Sequence, residues 1–438
     1  MSAPTPVLTA APAAAAPGAA DTLAYLAVAQ AIAAHLARTA LWQGACCTWV
    51  GGSTEAVGGA YQVAQRACGP DVYGGTLGVA RFLSLLHQQQ PDPLWQELLG
   101  GAVAHALAGP HLGSRHVGYG YFAGALGRAD TLLRLGESHQ QPAWTAAGWE
   151  LLAEVCAEPP QEFELDVISG VAGAVPVLLR QLRRHPEAGW LAEAASRCGE
   201  FLLARAQRQP AAWCWAALPG QPALTGYSHG AAGIALALLE LHQALGQPAY
   251  RTAAYLGFQF ERNLFHAQLQ NWPDLRELAP APTPAMPPTY ADAWCHGAPG
   301  IALSRLRAWQ LTGDDSFRQE AEVALNTTHR SIYQAVTNPG APVNFSLCHG
   351  LAGNADIMLE GSRVLGSELY AQVAQAAGNY GLAKYHYPGL AWPSGVNDPS
   401  GATPGMAETP GLLLGLAGTG YFYLRLACPG QVATELLP

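Results

Sequence analysis

Short apolar runs recur along the chain, each opening directly behind two glycines spaced three apart. VARFLSLL follows Gly78, RADTLLRL follows Gly127 and AVPVLLRQL follows Gly173. IALALLEL, IALSRLRAW, NADIMLEG and TGYFYLRL follow Gly233, Gly300, Gly353 and Gly418. The first glycines of these pairs are Gly75, Gly124, Gly170, Gly230, Gly297, Gly350 and Gly415, at steps of 49, 46, 60, 67, 53 and 65 residues. With 49 glycines in 438 residues, chance placement gives roughly five such pairs, so the pairs carry meaning only through the apolar runs attached to them. Each run is helix-forming; Gly378–Gly381 lacks one and stands outside the series.

Between the pairs lie second, amphipathic stretches, such as 142–158, 189–207 and 314–334, with apolar residues at spacings of three and four. Each repeat therefore predicts a helical hairpin with one buried and one half-exposed helix. Strand signals are scarce, and the Pro/Gly-rich stretches 272–289 and 388–411 predict loops. An open solenoid needs polar end units, yet the units at 75 and 415 are as apolar as the central ones. The pattern predicts an all-α closed ring, with seven glycine-initiated helices inside seven outer ones. Glycine at those starts lets backbones approach closely around a crowded axis.

Composition narrows the function classes. The chain is 50% hydrophobic and 12% charged with a net charge of −9, against about 25% charged in ordinary domains, which argues against disorder. Lys384 is the only lysine, a poor footprint for nucleic acid or an anionic membrane. Apolar stretches free of Gly, Pro and charge all fall short of about 18 residues, so no integral membrane segment is expected. Residues 1–20 are Ala/Pro-rich with no Lys or Arg before Arg38, unlike a secretory signal; they predict a flexible arm before one domain at 21–438. Nine cysteines without a compact disulfide pattern predict a cytoplasmic protein with reduced, mostly buried thiols.

Aligning the repeats on their first glycine brings chemistry into register. The preceding residues are Gly74, Ala123, Ser169, His229, His296, His349 and Leu414; one position earlier stand Tyr73, Phe122, Ile168, Ser228, Cys295, Cys348 and Leu413. Units four to six thus offer His229, Cys295–His296 and Cys348–His349 at neighbouring ring positions, and unit three adds Asp166. Thiolate and imidazole donors suit zinc, and a helix N-terminus favours the thiolate. Two Cys-His-Gly tripeptides 53 residues apart cannot form a local finger, but on consecutive ring units they can share one ion. Two thiolates and one imidazole leave the fourth tetrahedral position open, as catalysis requires; spacing alone leaves open which histidine joins. The alternatives are plain ones: Asp166 as a helix cap, Trp294 as packing, His229 as a core histidine and His296 as a structural neighbour. The other seven cysteines lack metal-like neighbours.

The runs DVISGVAG (166–173), GYSHGAAGI (226–234), AWCHGAPGI (293–301), SLCHGLAGN (346–354) and PGLLLGLAGTGY (410–421) resemble the signatures of lanthionine synthetase C-like (LanC) cyclases. The resemblance covers about residues 70 to 425, with five motifs in family order. The WCHGAPG and SHGAAG spellings are more similar to the cyclase portion of class II lanthipeptide synthetases than to stand-alone class I cyclases; those synthetases carry a long dehydratase domain before the cyclase, and none is expected from this sequence. The resemblance implies an α,α-toroid with a zinc ion in its cavity, held by Cys295, Cys348 and His349. It implies active-site roles for Asp166, His229 and Trp294. The chain departs at Ala291, where class I members carry Arg three residues before the motif Trp, and at His296, where they commonly carry an aromatic residue.

Such cyclases add a peptide Cys thiol across dehydroalanine or dehydrobutyrine to form a thioether, so the implied partners are a dehydrated precursor peptide and a separate dehydratase. His229 is the first candidate for the acid that protonates the α-carbon, with Asp166 orienting it or accepting the thiol proton, and Trp294 shaping the wall. Two rival functions remain: addition of glutathione or another small thiol to dehydrated residues, and a non-catalytic zinc-containing peptide-binding scaffold. A toroidal glycosidase needs two carboxylates about 5 to 9.5 Å apart, and the helix starts offer Asp166 without a clear partner.

Overall fold

The computed structural model describes residues 17–57, 60–108, 118–276, 288–338, 340, 343–396 and 408–438. Most of the expected arm, and parts of both expected loops, therefore lie outside the described residues.

The seven predicted inner helices form where the glycine pairs place them: α2 (Thr76–Gln89), α4 (Ala125–Ser138), α6 (Val171–Arg184), α8 (Ala231–Leu245), α10 (Ala298–Thr312), α12 (Leu351–Leu365) and α14 (Leu416–Ala427). Outside them lie α1 (Ala19–Thr39), α3 (Pro93–Ala108), α5 (Pro142–Ala157), α7 (Trp190–Arg205), α9 (Pro248–Leu264), α11 (Asp315–Thr337) and α13 (Glu368–Tyr385). Inner helices pack on their inner neighbours all the way round, α14 against α2 included, so the ring closes as an α,α-toroid. Closure uses an element the repeat pattern did not include: α1, before the first glycine pair, is the outer partner of α14. α1 begins inside the segment expected to be an arm. It also has the length and composition to cross a bilayer, contrary to expectation, because Asp21 and Arg38 stand near its two ends; in the ring its apolar residues pack on α14 instead.

Among the described residues, strands are confined to three short antiparallel hairpins. β1 (Leu41–Gln43) pairs with β2 (Cys46–Thr48), β3 (Val50–Val57) with β4 (Ala60–Ala67), and β5 (Gln207–Gln209) with β6 (Ala212–Cys214). The β3–β4 hairpin is seated on the loop before α14: a Cβ on Gly51 would lie 2.5 Å from Thr409 Oγ1 and 2.7 Å from the Pro410 ring.

The glycine pairs are steric. At all seven second glycines an added Cβ would come within 2.2 Å of the carbonyl oxygen six residues earlier, Val72 for Gly78 and Leu347 for Gly353 among them. No side chain fits there, so each helix start folds back onto the turn that precedes it. Gly297 adds a conformational demand, with φ at +92° in the region that favours glycine.

Those turns are stitched to one another. Tyr73 N donates to Phe122 O (2.9 Å), Phe122 N to Ile168 O (3.1 Å), Val167 N to Ser228 O (3.0 Å) and Ser228 N to Cys295 O (3.3 Å). Cys295 N donates to Cys348 O (3.3 Å), Cys348 N to Leu413 O (2.9 Å) and Leu413 N to Tyr73 O (2.9 Å), which returns the circuit to its start. The residues two before each first glycine, with Val167 supplying the amide beside Ile168 in unit three, thus form a closed circle of backbone hydrogen bonds around the axis. This circle holds Cys295 and Cys348 as immediate neighbours despite their separation in sequence.

The other end of the axis is filled by the C-terminal tail. Glu435 pairs with Arg81 at 2.5 Å, Thr434 donates to Asp356 at 2.8 Å, and Leu436 is fully buried. Arg81 also reaches Asp130 at 3.1 Å, so charges on inner helices are buried in pairs, as buried ions must be. The tail leaves the glycine end as the side from which the ring's centre is approached.

Candidate metal and thiol centre

The circle delivers the ligand set. The ligand atoms of Cys295, Cys348 and His349 lie within 4.8 Å of one another. Cys348 is buried, Cys295 nearly so and His349 half-buried. His349 Nε2 is 2.8 Å from Gly395 O; donating there leaves Nδ1 as the nitrogen with a lone pair for the cluster. Tyr73 donates its hydroxyl to Cys348 Sγ at 3.1 Å. The thiols behave as a pair. Hydrogen bonding from Cys348 holds the Cys295 pKa well below the ordinary thiol value, with His349 assisting and burial opposing. The same hydrogen bond, together with burial, pushes Cys348 up. His349 lies above its usual value because its contacts with Cys295 outweigh burial.

Ligand atoms around one tetrahedral zinc, with Zn–S near 2.3 Å and Zn–N near 2.0–2.1 Å, stand about 3.5–3.8 Å apart. A 4.8 Å spread closes onto an ion with small side-chain movements. A thiol pair already disposed to lose a proton, and an imidazole oriented from behind by a carbonyl, fit that metal.

His229 and Asp166 form the second group. His229 Nδ1 lies 2.5 Å from Asp166 Oδ2, and Asp166 Oδ1 accepts the Ser169 amide at 2.6 Å. Asp166 is 1% exposed, so the carboxylate is fixed at both oxygens and holds the His229 ring through Nδ1. His229 borders an open cavity of about 580 Å³ between the ring and the β3–β4 hairpin, whose walls include Gly51, Ser53, Arg66, Tyr73 and Leu414. The His296 ring lies 5.9 Å from that of His229. It is 1% exposed, has no hydrogen-bond partner for either nitrogen among the described residues, and has Asp274 3.9 Å from Nδ1. His296 is thus beside the cluster but not one of its three ligand residues.

Trp294, next to Cys295 in the chain, lies among aromatic rings and against the C-terminal tail. Its indole is fully buried, edge-on to Phe122 (5.2 Å) and near Tyr227 (5.7 Å), and Nε1 donates to Leu436 O at 3.1 Å. With no exposed surface, it ties the Cys295 turn to the C-terminal tail.

Tyr73 and the Asp274–Arg276 pair were missed from sequence. Tyr73 had a signal, since it occupies in unit one the aligned position of the two cysteines. Asp274 and Arg276 had none, because they lie in a stretch outside the repeats.

Fold and side chains together define an α,α-toroid whose helix starts carry a cluster of two thiols and one imidazole of a kind that could hold a metal ion. Among solved structures, nisin cyclase matches with a TM-score of 0.55 at 16% identity, covering 82% of this chain and 88% of that one. A GH76 α-mannanase from Bacteroides thetaiotaomicron matches with a TM-score of 0.50 at 13% identity, covering 92% and 95%; at these identities the likeness is one of fold. The family model described as lanthionine synthetase C-like protein matches residues 67–437, and the chain belongs to that family.

Proposed function

We propose that this protein is a zinc-dependent cyclase that adds the thiol of a peptide cysteine to dehydroalanine or dehydrobutyrine, forming lanthionine or methyllanthionine. The observation that carries the reading is the convergence of Cys295, Cys348 and His349 within 4.8 Å, next on the ring to a histidine fixed by a buried carboxylate. Family membership and the likeness to nisin cyclase support it.

Cys295, Cys348 and His349 would hold the zinc, which supplies a positive centre that favours the thiolate of the incoming cysteine. The thiolate sulfur bonds to the β-carbon, and the π pair of the double bond shifts toward the carbonyl. His229, held by Asp166 through Nδ1, delivers a proton from Nε2 to the α-carbon. Atoms balance: the S–H bond and one π bond are lost, one S–C bond and one C–H bond form, and the proton the thiol releases replaces the one His229 gives to the α-carbon, so the peptide mass is unchanged. All nine cysteines are free, which suits work in the cytoplasm on a precursor peptide dehydrated by a separate enzyme.

The test is mass spectrometry with thiol alkylation on a dehydrated, Cys-containing peptide incubated with zinc-loaded protein. Ring formation removes the alkylatable thiol at constant mass. Peptides that stay fully alkylatable overturn the reading; mass gain from added glutathione instead assigns the small-thiol reaction.

A further inference from the structure

The cluster has a cationic neighbour that no repeat motif supplies. Ala291 leaves no charge three residues before Trp294, but the segment 271–276 runs alongside it and is pinned along its length. Asn271 donates to Ala291 O at 3.2 Å and accepts from Ala298 N, at the start of α10, at 2.8 Å. Pro273 O accepts from Thr225 Oγ1 at 2.5 Å, and Asp274 N donates to Thr289 O at 2.7 Å. At its end Arg276 is clamped by Asp274, with Nη2 at 2.6 Å from Oδ2 and Nε at 3.0 Å from Oδ1. The Asp274 side chain is 6% exposed and that of Arg276 31%, and among the described residues nothing takes Nη1. The guanidinium interacts electrostatically with Cys295 and Cys348, and its charge also reaches Tyr73, His296 and His349. Burial opposes that charge, but Asp274 and the two thiols outweigh it and hold the Arg276 pKa above its ordinary value.

A guanidinium keeps its proton and presents directed donors. In the proposed reaction negative charge arrives as a thiolate and moves onto the carbonyl oxygen of the dehydrated residue. We propose that Arg276, locked in place by Asp274, is the anion-binding donor of this site and receives that carbonyl oxygen. The cation comes from outside the repeats, 15 positions before Ala291. As the S–Cβ bond forms, the enolate oxygen draws the Arg276 N–H groups; when the α-carbon takes its proton the charge disappears and the contact weakens. This rests on the thiol-addition reading.

Two measurements separate the inference from that reading. In the first, Arg276→Gln is expected to lose about 10²-fold in kcat with KM within about threefold, the cost of removing one oxyanion donor. Arg276→Lys, which keeps charge without the fork, recovers at least about tenfold of that loss, and Asp274→Asn falls between wild type and Arg276→Gln. Zinc content and thermal midpoint are recorded for each, and the lysine and asparagine variants decide the matter if the glutamine variant does not fold. The second is independent of turnover: calorimetric titration of the zinc-loaded protein with mercaptoacetate, a small anionic thiol, with affinity expected to fall at least about tenfold in Arg276→Gln. Wild-type kcat in Arg276→Gln, or mercaptoacetate affinity indifferent to residue 276, overturns the inference while cyclisation by the wild type stands. Arg276-dependent binding without any thioether product overturns the cyclase reading and leaves the anion site.

Discussion

Asp166→Asn separates orientation of the acid from everything else in the site. The carboxylate spends one oxygen on the Ser169 amide at 2.6 Å and the other on His229 Nδ1 at 2.5 Å. An asparagine has one oxygen. If it stays with Ser169, its NH2 faces Nδ1, which must then become an acceptor and cannot carry the second proton of the acid form. If the amide flips, two donors meet at a position 1% exposed to solvent. Either arrangement forfeits a hydrogen bond to a charged group or strands a buried donor, about 1.5–3 kcal/mol. At about 1.4 kcal/mol per decade, kcat falls roughly 10- to 150-fold. The assay is the initial rate at which a dehydrated peptide loses its alkylatable thiol, with zinc content and thermal midpoint as controls. A kcat within threefold of wild type, or a change in KM alone, would refute the role given to the Asp166–His229 pair.

The same geometry sets expectations elsewhere in the ring. Cys348→Ala is expected to lower bound zinc from one ion per chain to near none and to abolish thioether formation, while circular dichroism still reports a helical protein. Gly353→Ala drives a Cβ to 1.8 Å from Leu347 O; it is expected to cost about 1–3 kcal/mol or more in denaturant melts and to weaken zinc binding through the Cys348 turn. Gly100→Ala, on α3 with nothing within 4 Å, is neutral or stabilising by up to about 1 kcal/mol. Burial raises the pKa of Glu435, but Arg81 and Arg134 outweigh it and hold it below the ordinary carboxylate value. Its stabilising contribution is therefore present above about pH 4.3 and lost as pH falls through the lower folded value. Glu435→Gln should cost about 3–5 kcal/mol at pH 7, and the gap to wild type should narrow below about pH 4.

The inner ring was legible because one steric rule is written seven times. A glycine whose Cβ would strike a carbonyl six residues back leaves the same trace at Gly78 as at Gly418. The same alignment put Cys295 beside Cys348, and the closed circle of backbone hydrogen bonds is the physical form of that alignment. What escaped was what the repeats do not encode. α1 closes the ring through long-range packing on α14, and no local pattern announces that partnership. The tie between Trp294 Nε1 and Leu436 O in the C-terminal tail likewise joins segments that no repeat pairs. Arg276, whose charge acts on the two thiols, belongs to a segment whose sequence reads as loop, held in place by Asn271, Asp274 and Thr225.

X-ray absorption at the zinc edge of the loaded protein tests the central claim directly, since it reads the donor set rather than the reaction. The account predicts two sulfur donors near 2.3 Å with nitrogen or oxygen completing four, and three sulfurs when a substrate thiol is added. A spectrum with no sulfur donors, or one that starts with four and ignores the added thiol, would contradict an open centre built on Cys295, Cys348 and His349.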